Sequence, residues 1–150
     1  LTKGELKEKA RLLAANTFLF DDFIMREVNA GRIDSSGFTG STRQIKLHGH
    51  CHQKALASTA STKQMLSLPA GYRVEEIRSG CCGMAGSFGF EKEHYEVSMK
   101  IGELVLFPEV RRSEQEVTIA APGTSCRQQI KDGTGKLALH PIEILWESLL

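Results

Sequence analysis

Ser79-Gly80-Cys81-Cys82-Gly83-Met84-Ala85-Gly86-Ser87-Phe88-Gly89 sets two adjacent thiols inside a run with four glycines. Neighbouring cysteines cannot both enter one core face, as alternate strand residues do. Gly80 and Gly83 free the backbone on either side, and Gly86 and Gly89 let it pass close to bulky neighbours. The pair reads as a two-pronged thiolate clamp. The other two cysteines follow the same grammar, a β-like run, then glycine or proline, then cysteine. Cys51 lies in Leu47-His48-Gly49-His50-Cys51-His52-Gln53-Lys54, and Cys126 in Ala120-Ala121-Pro122-Gly123-Thr124-Ser125-Cys126-Arg127. If the three runs are neighbouring parallel strands, all four sulfurs gather at one edge of the sheet.

The 150 residues suffice for one domain with a real core. A formal charge of +1 gives no electrostatic case for nucleic acid or an anionic membrane. No apolar run reaches the length of a membrane-spanning helix, and no signal peptide is visible. Leu1 in place of a starting methionine reads as a fragment of a longer protein. Four cysteines without the dense spacing of a secreted scaffold point to a reducing compartment, where thiols bind metal or do chemistry.

The order of elements predicts an α/β fold. Residues 1–30 read as a helical segment, with Thr2-Lys3-Gly4-Glu5 as a capping box and Leu1 and Leu6 as a hydrophobic staple. Apolar spacing from Leu6 to Val28 is helical, and Asn16 divides it. A polar loop spans Asp34 to Ser41. The core, residues 43–150, alternates strands (Gln44–His48, Tyr72–Ile77, Val117–Ala121, Lys136–His140) with helices (Gln53–Leu66, Glu91–Phe107 stopped by Pro108, Ser125–Ile130, Pro141–Leu149). Asp132-Gly133-Thr134-Gly135 reads as a turn. The expectation is a mostly parallel sheet of about four strands flanked by helices. Right-handed crossovers bring the cysteine loops to its C-terminal edge.

Four converging thiolates suit zinc or an iron–sulfur cluster. The long separations between cysteines match neither paired zinc knuckles nor a ferredoxin run. His48, His50 and His52 offer imidazole to zinc, although a lone histidine at a strand end is more often structural. A Cys81–Cys82 disulfide would close a strained ring. Cys126 near a helix start and beside Arg127 has features that lower a thiol pKa, but a single nucleophile leaves three cysteines without a role.

Taken together, Cys51, the Cys81-Cys82-Gly83 triplet and Cys126 resemble the cysteine-rich "CCG" domain of iron–sulfur oxidoreductases. That domain occurs in one of the subunits of heterodisulfide reductase, in the iron–sulfur subunits of anaerobic glycerol-3-phosphate dehydrogenase and glycolate oxidase, and in lactate-utilisation proteins. The wording of the motifs at 48–55, 79–89 and 123–127 is most similar to the C-terminal region of fusions joining an FAD-linked oxidase to an iron–sulfur oxidoreductase. These fusions are of the D-lactate, glycolate or D-2-hydroxyacid dehydrogenase type.

The resemblance implies an electron-transfer domain in which Cys51, Cys81, Cys82 and Cys126 hold a [4Fe–4S] cluster, with zinc as the alternative metal. Gly123 stands where the family's closing Cys-x-x-Cys has its first cysteine. His48, His50, His52, Gly123 and Arg127 would surround the ligands. FAD and the substrate would bind to a preceding part of the polypeptide, so the isolated domain is not expected to be catalytic. Implied partners are the FAD-linked oxidase and ferredoxin-type regions of the same polypeptide, with a quinone or a protein as electron acceptor. The implied compartment is cytoplasmic, free or associated with the cytoplasmic face of the membrane. The competing reading is a zinc-binding structural or docking module with no redox role.

Overall fold

In the segment Arg43–Leu47, buried Ile45 and Leu47 alternate with less buried neighbours, the period-two signature of a strand. In the computed structural model, which describes residues 3–150, this segment is β1 and lies in the middle of a four-stranded sheet. It pairs in parallel with β2 (Tyr72–Glu76) on one side and β3 (Thr118–Ala120) on the other, and β3 pairs in parallel with β4 (Ala138–Leu139). Ile45 stands opposite Val74 and Thr118, and Leu47 opposite Glu76 and Ala120. The order β2-β1-β3-β4 makes the chain step off β1 to one side and return to the other. The crevice between β1 and β3 is therefore a topological switch point, where α/β sheets place ligands. The α/β class, the parallel pairing and the neighbouring of the three cysteine-bearing runs agree with the sequence.

Two cores sandwich the sheet. On one face Ile45, Leu47, Tyr72 and Ala120 pack with Phe38, with Met65 and Leu66 of α4 (Ala60–Leu66), and with Ile144 and Leu145 of α8 (Pro141–Trp146). On the other, Ile77 and Ile119 pack with Leu106, Phe107 and Val110 of α6 (Leu106–Arg112) and Ile130 of α7 (Thr124–Thr134). The helix α5 (Tyr95–Leu104) packs against α6 and α7. Among the described residues no helix is long and apolar enough to cross a membrane.

Several elements depart from expectation for local reasons. The helix expected over Gln53–Leu66 is two, α3 (Cys51–Leu56) and α4, broken at Ala57–Thr59. There the Ser58 hydroxyl accepts the Ala60 N–H and the Thr59 hydroxyl donates to Glu76, local bonds that compete with a continuous helix. Glu91–Phe107 is likewise split, and Pro108 lies in the first turn of α6, where its missing N–H costs nothing, so it does not act as a stop. The Asp132–Gly135 turn is helical through Thr134, and only Gly135, at φ 74°, turns the chain.

Asn16 does separate α1 (Glu5–Ala15) from α2 (Phe20–Asn29). The expected packing role holds for α2 alone. Its buried Asp21 accepts hydrogen bonds from Thr62 and Gln53 and ties it to α3 and α4. In α1 nothing is buried, and Leu6, Leu12 and Leu13 remain exposed. The expected capping box and staple involve Leu1 and Thr2, which lie outside the described residues.

Gly102 and Gly133 grip the Phe107 ring from α5 and α7. A Cβ at either position would run into that ring. Ala at 133 favours a helix by about 1 kcal/mol over Gly, but overpacking costs about 1–3 kcal/mol. Gly133→Ala is therefore expected to destabilise the chain by about 1 kcal/mol or more, which urea unfolding measures. A stabilised variant would mean that Phe107 gives way freely.

Candidate metal centre

Three loops leave the C-terminal ends of β1, β2 and β3, and each delivers cysteine. The β1 ladder continues one residue further, because the His48 N–H donates to Ala120 O at 2.8 Å. That bond fixes His48 just beyond the strand end, where its side chain is fully buried. A ring nitrogen of His48 and the sulfurs of Cys82 and Cys126 lie within 4.8 Å of one another, all buried. His48 Nδ1 is 2.7 Å from Ser79 Oγ, while Nε2 has no hydrogen-bond partner.

All four cysteines are free, and their sulfurs influence one another. The Cys82 thiol is pushed down to about 4, chiefly by the hydrogen bond it receives from Cys126, with burial opposing and the His48 ring and the Met84 N–H assisting. Cys126 is driven strongly upward, because it donates to Cys82, is buried and faces the other sulfurs. Cys51 is raised by burial and by the nearby Cys81 and Cys82 sulfurs. The sulfurs are close enough that ionising one disfavours ionising the next. A cation is the chemical complement.

A cavity of about 470 Å³ opens onto this group, lined among others by His50, Cys51, His52, Cys82 and Cys126. Cys51 begins α3, and Cys126 lies in the first turn of α7, so helix N-termini approach both. Cys81 is half-buried, does not line the cavity, and its sulfur accepts the Gly83 N–H at 3.3 Å. Cys82 and Cys126 are buried, the first in a loop and the second in the first turn of α7, both packed into the core with Leu106, Phe107 and Ile130.

The predicted surrounding residues divide. A Cβ at Gly123 would stand 2.9 Å from Cys126 Sγ and 2.5 Å from His50 Cδ2, so this glycine lies beside Cys126 and His50. Gly83, at φ 104°, would drive a Cβ into the Ser98 carbonyl of α5, so its crowding comes from the helix. Gly80 has nothing near an added Cβ, and neither has Gly86, contrary to the close approach expected there, whereas a Cβ at Gly89 would meet Ser98 and Met84. Arg127 donates to Ala121 O and Pro122 O at 3.0 and 2.9 Å, bracing the loop that carries Gly123. His50 caps no helix through its side chain, and His52 is exposed. His94 stacks on Phe88 and pairs with Glu91, away from the sulfurs.

Sequence reasoning missed three supports. Ser79 orients His48, and Lys54 donates to Ser79 O at 2.7 Å. Gln129 donates to Cys82 O and Ser98 Oγ at 3.1 and 2.9 Å, tying the Cys82 loop to α5 and α7. The signal for Gln129 is its position three residues after Cys126, on the same helix face.

His140 also reaches this edge of the sheet, as the N-cap of α8. Its Nδ1 accepts the Ile142 N–H and Glu143 accepts its backbone N–H, a reciprocal capping pair. Burial and the nearby Arg127 charge hold His140 below the ordinary histidine range, with Glu143 and Asp21 opposing. A histidine with a lowered folded pKa contributes stability that is full above about 6.5, its unfolded value. That stability is lost as pH falls through the folded pKa. His140→Asn, which caps without titrating, is expected to flatten this part of the stability–pH curve, read as wild type minus variant in urea unfolding. Parallel curves would refute the assignment.

No family model matches the chain, and no solved structure matches it. Among curated proteins it is 34% identical over 149 residues to the D-2-hydroxyglutarate dehydrogenase of Escherichia coli (strain K12), covering 98% of this chain and 14% of that protein. It is 35% identical over 102 residues to the D-2-hydroxyglutarate dehydrogenase of Pantoea ananatis, covering 67% of this chain and 10% of that protein. It is 32% identical over 106 residues to one of the subunits of the anaerobic glycerol-3-phosphate dehydrogenase of Escherichia coli (strain K12), covering 71% of this chain and 26% of that relative. The chain thus spans about a quarter or less of the length of these relatives.

Proposed function

We propose that this chain is an iron–sulfur electron-transfer domain of a flavin-dependent 2-hydroxyacid dehydrogenase. The observation that carries the proposal is the convergence of buried Cys82 and Cys126 with an unpartnered His48 nitrogen at the switch point of the sheet. Cys51 lines the same cavity, and Cys81 adjoins Cys51. The donors fit a soft metal centre: free thiols, one held as thiolate near neutrality, and an imidazole nitrogen in need of a partner. Similar segments occur in proteins named as dehydrogenases of D-2-hydroxyglutarate and of glycerol-3-phosphate. A segment shared across two substrates supports a task common to both oxidations, which is handling the electrons.

In this reading the cluster supplies a one-electron relay when bound, with Cys51, Cys81, Cys82 and Cys126 as its sulfur donors. The chain's own residues gather the thiolates, bury two of them from water, and brace their loops through Arg127 and Gln129. FAD and the 2-hydroxyacid would bind to other parts of the polypeptide, and a quinone or a protein would accept the electrons. The compartment would be the cytoplasm or the cytoplasmic face of its membrane.

A second reading, a zinc-held docking module, is favoured by the mixed imidazole and thiolate group, a donor set that zinc accepts. Purification without oxygen decides between them. A brown protein with iron and acid-labile sulfide, bleached by dithionite and yielding a paramagnetic signal, is the expected result. Stoichiometric zinc with no iron in oxygen-protected protein would overturn the electron-transfer function.

A further inference from the structure

We infer that His48 is itself a ligand of this centre, bonded to the metal through Nε2, so that the donor set is mixed nitrogen and sulfur. The inference rests on the reading that a metal occupies the cysteine site, and it deepens that reading.

The backbone decides where His48 stands. It extends the β1–β3 ladder by one residue, so its position is fixed by sheet pairing. Strand alternation sends Leu47 into the core beneath α4 and α8, and turns His48 to the opposite side, where Cys82 and Cys126 stand. Ser79 Oγ, 2.7 Å from Nδ1, gives the ring an orienting partner. With Nδ1–H donating to that oxygen, Nε2 carries a lone pair. That nitrogen makes no hydrogen bond of good geometry and faces the Cys82 sulfur, in a residue with no exposed surface. Leaving such an acceptor unmatched is costly, and a cation is the partner its neighbours call for.

Cys82 and Cys126 place their sulfurs within 4.8 Å of a ring nitrogen of His48, a spacing that one bound metal or one corner of a cluster could bridge. The arrangement of Ser79, His48 and a metal has the form of metal sites in which the far ring nitrogen is fixed by a hydrogen bond. Lys54 steadies the same Ser79 through its carbonyl. His50 and His52 have no comparable claim. His50 is half-buried and His52 exposed, and neither belongs to the close group with Cys82 and Cys126. With His48 the chain brings five donors to the site. The sulfur least committed to it is Cys81, which receives the Gly83 N–H and does not line the cavity.

The test labels histidine with nitrogen-15 and reconstitutes the chain with iron and sulfide, or with cobalt(II) alone. Pulsed electron paramagnetic resonance then reads nitrogen coupling at the paramagnetic centre. A coupling of the size given by directly bound imidazole is expected in wild type, kept in His50→Gln and His52→Gln, and lost in His48→Gln. Ser79→Ala is expected to weaken metal affinity by roughly 10–100-fold, the range for losing the partner of a metal-bound histidine. A fully loaded wild-type centre without bound nitrogen would overturn this proposal and leave the metal site standing. A chain that takes up neither iron nor cobalt would overturn both. The wild-type measurement needs no variant to fold.

Discussion

Cys82→Ser is expected to empty the centre, with metal per chain falling to background while the far-ultraviolet circular dichroism stays close to wild type. Cys82 is 3% exposed, and a pKa of about 4 leaves it ionised at neutral pH. Its sulfur belongs to the close buried group with Cys126 and His48. A serine hydroxyl keeps the shape but does not ionise there, and it is a hard oxygen donor where soft sulfur is needed. The loss should exceed the roughly 10–100-fold that follows removal of an outer partner such as Ser79. The fold should persist, since serine is close to cysteine in size and the aliphatic and aromatic residues that make up most of both cores stay in place. Equal metal content in variant and wild type, by elemental analysis, would remove Cys82 from the ligand set.

Gly83→Ala is expected to be the most destabilising single-methyl change in the chain, by about 3 kcal/mol, from backbone strain together with overpacking. At φ 104° an L side chain is strained whatever the space, and here the added Cβ would strike the Ser98 carbonyl. The loop cannot shift to relieve it without disturbing the bonds from Gln129 to Cys82 O and to Ser98. Gly80→Ala is the internal control, because Gly80 has ordinary φ and nothing within 4 Å of the added carbon. That change should lie within about 0.5 kcal/mol of wild type. Chemical denaturation of the pair measures the contrast, and similar stabilities would show that the loop is softer than its geometry indicates.

Most of the sheet was legible because three of its strands are short runs that lead into glycine or proline ahead of cysteine. This pattern located β1, β2 and β3 within a residue or two and made their adjacency the natural inference. The helix breaks were not legible. Ser58 and Thr59 read as ordinary helix residues until the bond from Thr59 to Glu76 is seen, and that bond depends on a strand far along the chain. Pro108 could have stopped one helix or opened another, and only the Val105 bend decides which. At the site, the sequence brought the cysteines to one edge but ranked the histidines alike. What separates His48 from His50 and His52 is burial and the partner on one ring nitrogen, neither of which spacing reveals. The exposure of α1 was also hidden, since an apolar stripe does not say whether a surface awaits it.

The central position of β1 has a consequence for how the holoprotein matures. β1 and its two flanking strands carry the loops that begin near residues 48, 79 and 122, so an unfolded chain would have to close two long loops to bring them together. That entropic cost grows with loop length, and here the paired strands meet it through β1–β2 and β1–β3 registry. In the proposed reading, gathering would precede loading, and the folded apoprotein would receive metal through the cleft lined by His50 and His52. A lesion that loosens the β1–β3 seam would be seen first as a chain that folds but fails to mature, at temperatures where the rest of the sheet is still intact.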